Sequence, residues 1–228
     1  MTQNSDKYDD FAEHPRYGQR PHLTGLNPNA LDRDVHLHWR ALRHDEVVAR
    51  YESATGQQWP YGPSGMETHG ARRVPNTAVV ADVARQVRRP VQVTHYFDVE
   101  RQCADCDRWF IFFAQEQKHW YEELRFPLES DCVRCFECRQ RERGIDRCRK
   151  EFESLSQLNQ RTPQQCLDMA DACLTLIEAG VFTARQTERV RMLFNSLPEE
   201  DDLRNRPTYK RLANRLQKIE SGGLPLPP

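Results

Sequence analysis

A chain of 228 residues with 38% hydrophobic and 29% charged side chains and a mean hydropathy of -0.85 has room for one large or two small domains, but too few apolar residues for one continuous interior. Its formal charge of -1 and pI near 6.7 exclude a globally basic chain, so only local patches can argue for nucleic-acid or membrane partners. The opening stretch lacks the basic start and apolar core of a signal peptide, and "WFIFFA", the longest apolar run, is far too short to span a bilayer, which predicts a soluble, cytoplasmic protein with reduced thiols and no membrane partner.

Residues 1–75, dense in Pro, Gly, Asn and His, predict an extended arm laid over another surface, with one helix or strand-helix unit near 30–51 and Tyr17, Trp39, Tyr51, Trp59 and Tyr61 as anchors. In 76–87, Val79, Val80, Val83 and Val87 fall at helical spacing behind Asn76, a candidate cap. The stretch "PVQVTHYFDVERQC" is β-branched and aromatic and predicts a strand leading into the first cysteine pair.

Beyond the cysteines, the pattern predicts a charged helix over 135–158 and then two signalled helices. Thr162 as cap, Pro163 at the first position and Gln165 as the reciprocal capping-box residue open the first, and Gly180 closes it. Thr183 and Gln186 repeat the device before Val190, Leu193 and Leu197, and Pro198 stops that helix. The "EEDD" of 199–202 reads as a polar linker. A last helix over 208–220 carries Tyr209, Leu212, Leu216 and Ile219 on one face, and the tail 221–228 is expected to be disordered. The divisions are therefore an arm (1–75), a cysteine-bearing domain with its following helix (76–158), a helical hairpin plus final helix (159–220) and a tail.

Five of the eight cysteines lie between 103 and 138. Cys103-x-x-Cys106 and Cys132-x-x-Cys135 fit two knuckles converging on one tetrahedral zinc, because a two-residue gap lets both sulfurs of a pair face one ion from a tight turn. A redox C-x-x-C works as a single pair in a βαβ context and does not account for two pairs. Arg101, Arg108, Arg134 and Arg139 flank the ligands as second-layer cations, and Asp131 is a candidate cap for the helix that follows. Cys138 forms an overlapping C-x-x-C with Cys135. A late helix start would make Cys135 and Cys138 the ligands; the turn-forming "ESDC" favours Cys132 and Cys135.

The stretch "FDVERQCADCDRWFIFFAQEQKHWYEELRFPLESDCVRCFECR", about 97–139, resembles a bacterial probable zinc-ribbon (treble-clef-like) domain family. The shared elements are Cys103 and Cys106, the aromatic Trp109 to Phe113, the Ala114, Glu116, Gln117, Trp120, Tyr121, Glu122 run, and Cys132 and Cys135 followed by arginines, with "HPRYGQRPHLTGLNP" as a companion arm. The resemblance implies one structural Zn²⁺ held by four cysteines and supplies no activity. Asp107 stands where many members have Gly, at a turn that a left-handed residue would suit.

The fold class expected is α+β, with a small zinc-ribbon or treble-clef centre, an extended N-terminal arm and an α-helical C-terminal region. Four thiolates leave zinc no open position, which argues against a zinc hydrolase, and no histidine follows His119, which argues against a treble-clef nuclease. Glu116, His119 and Glu122 make a polar group for acid-base work only if they face one cleft; otherwise they are core and surface. His36, His38 and His44 read as surface or capping residues, and Cys166 and Cys173 as core. The function expected is a non-enzymatic zinc-binding protein-interaction module. The alternative is nucleic-acid binding through Arg139, Arg141, Arg143, Arg147 and Lys150, with an enzyme built on Glu116 and His119 the remotest reading.

Overall fold

A computed structural model of the protein describes residues 7–60, 71–88, 92–198 and 202–222, and the chain divides into two units, Met1–Cys138 and Arg139–Pro228. The arm and the cysteine region thus fold together, and the division falls at 138/139 inside a helix, instead of at 75/76 and 158/159. Tyr61, residues 199–201 and the tail beyond Gly222 lie outside the described residues.

In the first unit the arm crosses the sheet as an irregular strap. Ala12 bridges Phe110 in parallel, its N–H donating to Trp109 O at 2.7 Å, and this covers what would be an open sheet edge. Phe11 stacks on Trp109, and His14, Tyr17 and His22 gather around Phe113, so the anchors are Phe11 and two histidines as much as Tyr17. Trp39 is 40% exposed, with the Arg40 guanidinium over its ring, and Tyr51 and Trp59 pack edge-on against each other.

Helix α1 (His44–Thr55) starts later than 30–51 would have it, after a 3₁₀ turn at Trp39–Ala41. Residues 30–34 form turns, with the Asp32 N–H donating to Asn29 O and the Val35 N–H to Asp32 O, both at 3.1 Å, and Arg50 of α1 donates back to the Ala30 carbonyl at 2.7 Å. Glu46 closes the start by accepting from the Arg43 N–H at 2.9 Å, and Gly56 ends the helix in the left-handed region at φ +66°.

Strands β1 (Arg72–Arg73), β2 (Val79–Val80), β3 (His95–Tyr96), β4 (Val99–Gln102) and β5 (Trp109–Phe112) form two antiparallel sheets, β1-β4-β5 and β2-β3. Val99 opposes Phe112, and Gln102 opposes Trp109 at the end next to the first cysteine pair. The expected single strand before Cys103 is split between the two sheets. The helix expected over 76–87 does not form. Asn76 has φ +62° and reverses the chain, Val79 pairs with Tyr96, and a 3₁₀ turn at Val83–Arg85 is capped by Asp82. Tertiary partners take the backbone groups a helix would have used: Lys118 Nζ donates to Val80 O, and Glu122 Oε1 accepts from the Asp82 N–H, both at 2.7 Å. The valines fit a pleated ladder as well as a helix stripe, so spacing alone does not separate the two.

The run "AQEQKHWYEEL" does form a helix, α2 (Ala114–Lys118), continued by a π-helical turn at His119–Glu123. Asp98, reaching over from the link between β3 and β4, caps it by accepting from the Ala114 N–H at 2.7 Å. Helix α3 (Phe136–Ser156) then leaves the second cysteine pair.

The second unit holds most of α3, α4 (Pro163–Glu178), α5 (Thr187–Asn195) and α6 (Pro207–Glu220). The Thr162/Gln165 capping box forms as expected, and Cys166, Met169, Ala170, Cys173, Leu174 and Ile177 are buried in a core completed by Val190, Leu193, Leu212, Leu216 and Ile219. Thr183 does not repeat the cap: its side chain makes no capping bond, and a 3₁₀ turn at Ala184–Gln186 precedes α5. No helix among the described residues is long and apolar enough to cross a membrane.

Candidate metal centre

The β4–β5 hairpin carries the first cysteine pair at its turn. Cys103 N–H donates to Arg108 O at 2.9 Å and Asp107 N–H to Cys103 O at 3.0 Å, which closes a knuckle. Asp107 sits there at φ +56°, the left-handed conformation its position had suggested, and one that Asp tolerates better than most residues with a Cβ. The second pair comes at the start of α3. Cys135 lies one residue before the helix and Cys138 in its first turn, so both sulfurs project from a helix N-terminus whose free N–H groups favour negative charge.

Cys103, Cys106, Cys135 and Cys138 bring four sulfurs within 4.8 Å of one another. Cys106 and Cys135 Sγ are 3.9 Å apart, and the Cys135 N–H donates to Cys103 Sγ at 3.3 Å. Sulfurs bound tetrahedrally at about 2.3 Å from one zinc stand about 3.8 Å apart, so the donor set fits that ion in both number and spacing. Three of the sulfurs belong to fully buried residues and Cys106 is half-buried.

Cys132, expected as the fourth ligand, is outside this group. It is buried in the apolar cluster beside the site, with its Sγ donating to the Arg134 carbonyl at 3.5 Å. Asp131 is not the helix cap either, because its carboxylate takes Arg40 Nε at 2.9 Å and Arg101 Nη1. These two departures share one cause. The chain over 128–131 is clamped before it reaches the cysteines: His38 Nε2 meets Leu128 O at 2.6 Å, Arg40 donates to Glu129 O and Ser130 O, and Tyr121 OH donates to Ser130 O at 2.8 Å. Held in this way, the segment turns at 128–129 and stays non-helical through Cys132, and α3 begins only at Phe136.

Electrostatics distinguish Cys106 from Cys135 and Cys138. Burial pushes Cys135 and Cys138 up from the ordinary thiol value; burial acts the same way on Cys106, but bonds from the Arg108 backbone and guanidinium outweigh it and hold that thiol down at about 7. Arg108 also pairs with Glu137 at the start of α3, and Arg134 with Asp105 at 2.8 Å across the two knuckles. The flanking arginines thus link the knuckles as well as supplying positive charge.

Residues 97–151 match the family described as Probable treble clef domain. The knuckle on a hairpin, followed by a helix whose first turn supplies the last sulfurs, is the arrangement that description names. No curated protein and no solved structure gives a significant match to the chain.

The treble clef explains the run after β5 residue by residue. Ala114 is buried where α2 starts, and Gln117 Nε2 donates to Phe97 O at 2.6 Å and Phe112 O at 2.9 Å. Trp120 packs on Phe112, and Tyr121 stacks between Tyr96 and His38. The three polar groups considered for chemistry face different ways. Glu116 is buried with His14 Nε2 at 3.6 Å, Glu122 is buried against the Asp82 N–H and Lys118, and His119 pairs with Glu123 at 2.7 Å. His38 does cap a turn, accepting from the Arg40 N–H, but it is buried instead of superficial. Reading the sequence missed the buried roles of His14, His38, Arg40 and Asp98; the signal was there in charged and imidazole side chains set among apolar ones, but each has a partner 76 to 102 residues away along the chain.

Proposed function

We propose that Cys103, Cys106, Cys135 and Cys138 hold one structural Zn²⁺ and that the protein is a non-catalytic interaction module built on that site. The observation that carries this reading is the closed set of four sulfurs within 4.8 Å at a knuckle and a helix start. Four thiolates complete a tetrahedral shell and leave no position for water or substrate, so the ion's contribution is to the fold. The dispersal of Glu116, His119 and Glu122 to separate partners supports the non-catalytic part of the proposal. Metal analysis of the purified protein tests it: about one zinc per chain is expected, together with loss of that zinc in Cys103→Ser and Cys138→Ser. A chain that folds without any bound metal would refute the assignment.

A further inference from the structure

We infer that the exposed face of α3 binds the phosphate backbone of a nucleic-acid duplex, through Arg143, Arg147 and Lys150. This names the partner class of the interaction module and rests on that reading. Ile145, Cys148, Phe152 and Leu155, at i, i+3, i+7 and i+10, turn one side of α3 into the core of the second unit. Arg143, Arg147 and Lys150, at i, i+4 and i+7, lie together on the opposite side, and all three are exposed. Among the described residues none of the three is in an ion pair. Of the carboxylates one turn from the stripe, Asp146, Glu151 and Glu153, Asp146 is held by Arg149 at 3.6 Å. Arg141 falls on the core side of the helix, so Arg147 and not Arg141 completes the row.

Spacing and charge both suit a polyphosphate. From Arg143 to Lys150 the helix rises about 10.5 Å, over which one strand of a duplex presents about three phosphates at about 3.4 Å each. The balance of charge changes along the chain in the same sense: residues 1–138 hold 17 Lys and Arg against 21 Asp and Glu, whereas 139–228 hold 16 against 13. A chain that is neutral overall therefore keeps its positive excess in the half that bears the stripe. A bare charge row gives backbone contact without sequence readout.

The test is fluorescence anisotropy of the zinc-loaded full chain with duplex DNA and duplex RNA of about two helical turns. Three phosphate contacts predict a log–log salt slope of about -2.7, a loss of affinity of about 40-fold between 50 and 200 mM salt. Replacing all three residues (Arg143→Gln, Arg147→Gln, Lys150→Gln) should remove binding, and Arg147→Gln alone should reduce the slope by about one. A charge-matched triple elsewhere in the second unit, Arg185→Gln with Arg204→Gln and Lys210→Gln, should bind as wild type does. The inference is overturned if neither duplex binds, if the two triples lose affinity equally, or if anionic phosphatidylserine vesicles bind where duplexes do not. Zinc is measured on every sample: a zinc-loaded chain that ignores both duplexes overturns this inference alone, whereas a folded wild type lacking zinc overturns the metal assignment.

Discussion

The backbone N–H of Cys135 donates to the Sγ of Cys103 at 3.3 Å, so the second knuckle is bonded to a sulfur of the first. An amide aimed at a thiolate stabilises its charge, and in this position it also fixes the start of α3 against the β4–β5 hairpin. The pairing makes Cys135 common to either choice of fourth ligand and leaves the contest between Cys132 and Cys138.

That contest is decided by two single substitutions. Cys138→Ser should lose zinc and unfold the first unit, while Cys132→Ser should keep about one zinc per chain and cost about 1–2 kcal/mol from a buried polar group in an apolar site. Metal content with thermal melting reads both. Zinc retained in Cys138→Ser and lost in Cys132→Ser would reverse the assignment.

Chelation should separate the two units. The first depends on a metal-closed centre, whereas the second has its own core of α4, α5 and α6 with the capped start at Thr162. Adding a strong zinc chelator is expected to abolish the near-ultraviolet signal of Trp109 and Trp120 while most far-ultraviolet helical signal persists. Simultaneous loss of both signals would show that the second unit does not stand alone.

His38 predicts a pH dependence. Burial, partly offset by its bond to Leu128, lowers it from the ordinary 6.5 to about 4, so the fold requires the neutral ring. The stabilisation is complete above pH 6.5 and is lost as pH falls to about 4, with a magnitude of about 3 kcal/mol. Asp98 works in the other sense: burial raises its carboxyl, so its contribution grows as pH falls. Urea titrations at pH 7 and 4.5 should show His38→Gln losing less stability on acidification than wild type does. Equal losses would place the acid sensitivity elsewhere.

Asp98 ties three segments together, two of them through its carboxylate. Its oxygens accept from the His22 N–H at 2.8 Å and the Ala114 N–H at 2.7 Å, and its own N–H donates to Thr77 Oγ1. Asp98→Ala should cost about 3 kcal/mol, since one buried and one part-buried amide lose their acceptor. Asp98→Asn turns a donor toward one of them and should cost nearly as much. Limited proteolysis near residue 22 is expected to accelerate in both, and unchanged cleavage would show that the arm is held by its aromatic contacts alone.

Asp131 lies between Arg40 and Arg101, and removing it leaves two cations with little exposure. Asp131→Ala should destabilise by about 3 kcal/mol, and restoring the cluster's original net charge with Arg40→Met in the same chain should return part of that. A double-mutant cycle in urea measures the coupling, and a coupling near zero would remove the clamp from the account of how Cys132 is excluded.

Where a signal was local, the sequence carried it. Thr162, Pro163 and Gln165 specify the start of α4 through bonds within four residues, and Cys103-x-x-Cys106 specifies a knuckle because its turn closes on itself, down to the left-handed Asp107. The α+β class, the cysteine centre and the helical C-terminal region follow from such signals. Tertiary structure alone decided the rest. Cys132, Cys135 and Cys138 are equivalent by spacing, and the choice among them depends on side chains at 38, 40 and 121 that grip residues 128–131 from elsewhere in the chain. Residues 76–87 carry a valine pattern that suits helix or ladder, and a strand at 95–96 with the carboxylate of Glu122 made it a ladder. The physical reason is the same in both cases: short-range geometry leaves two states of similar energy, and the hydrogen bonds that separate them come from residues distant in sequence.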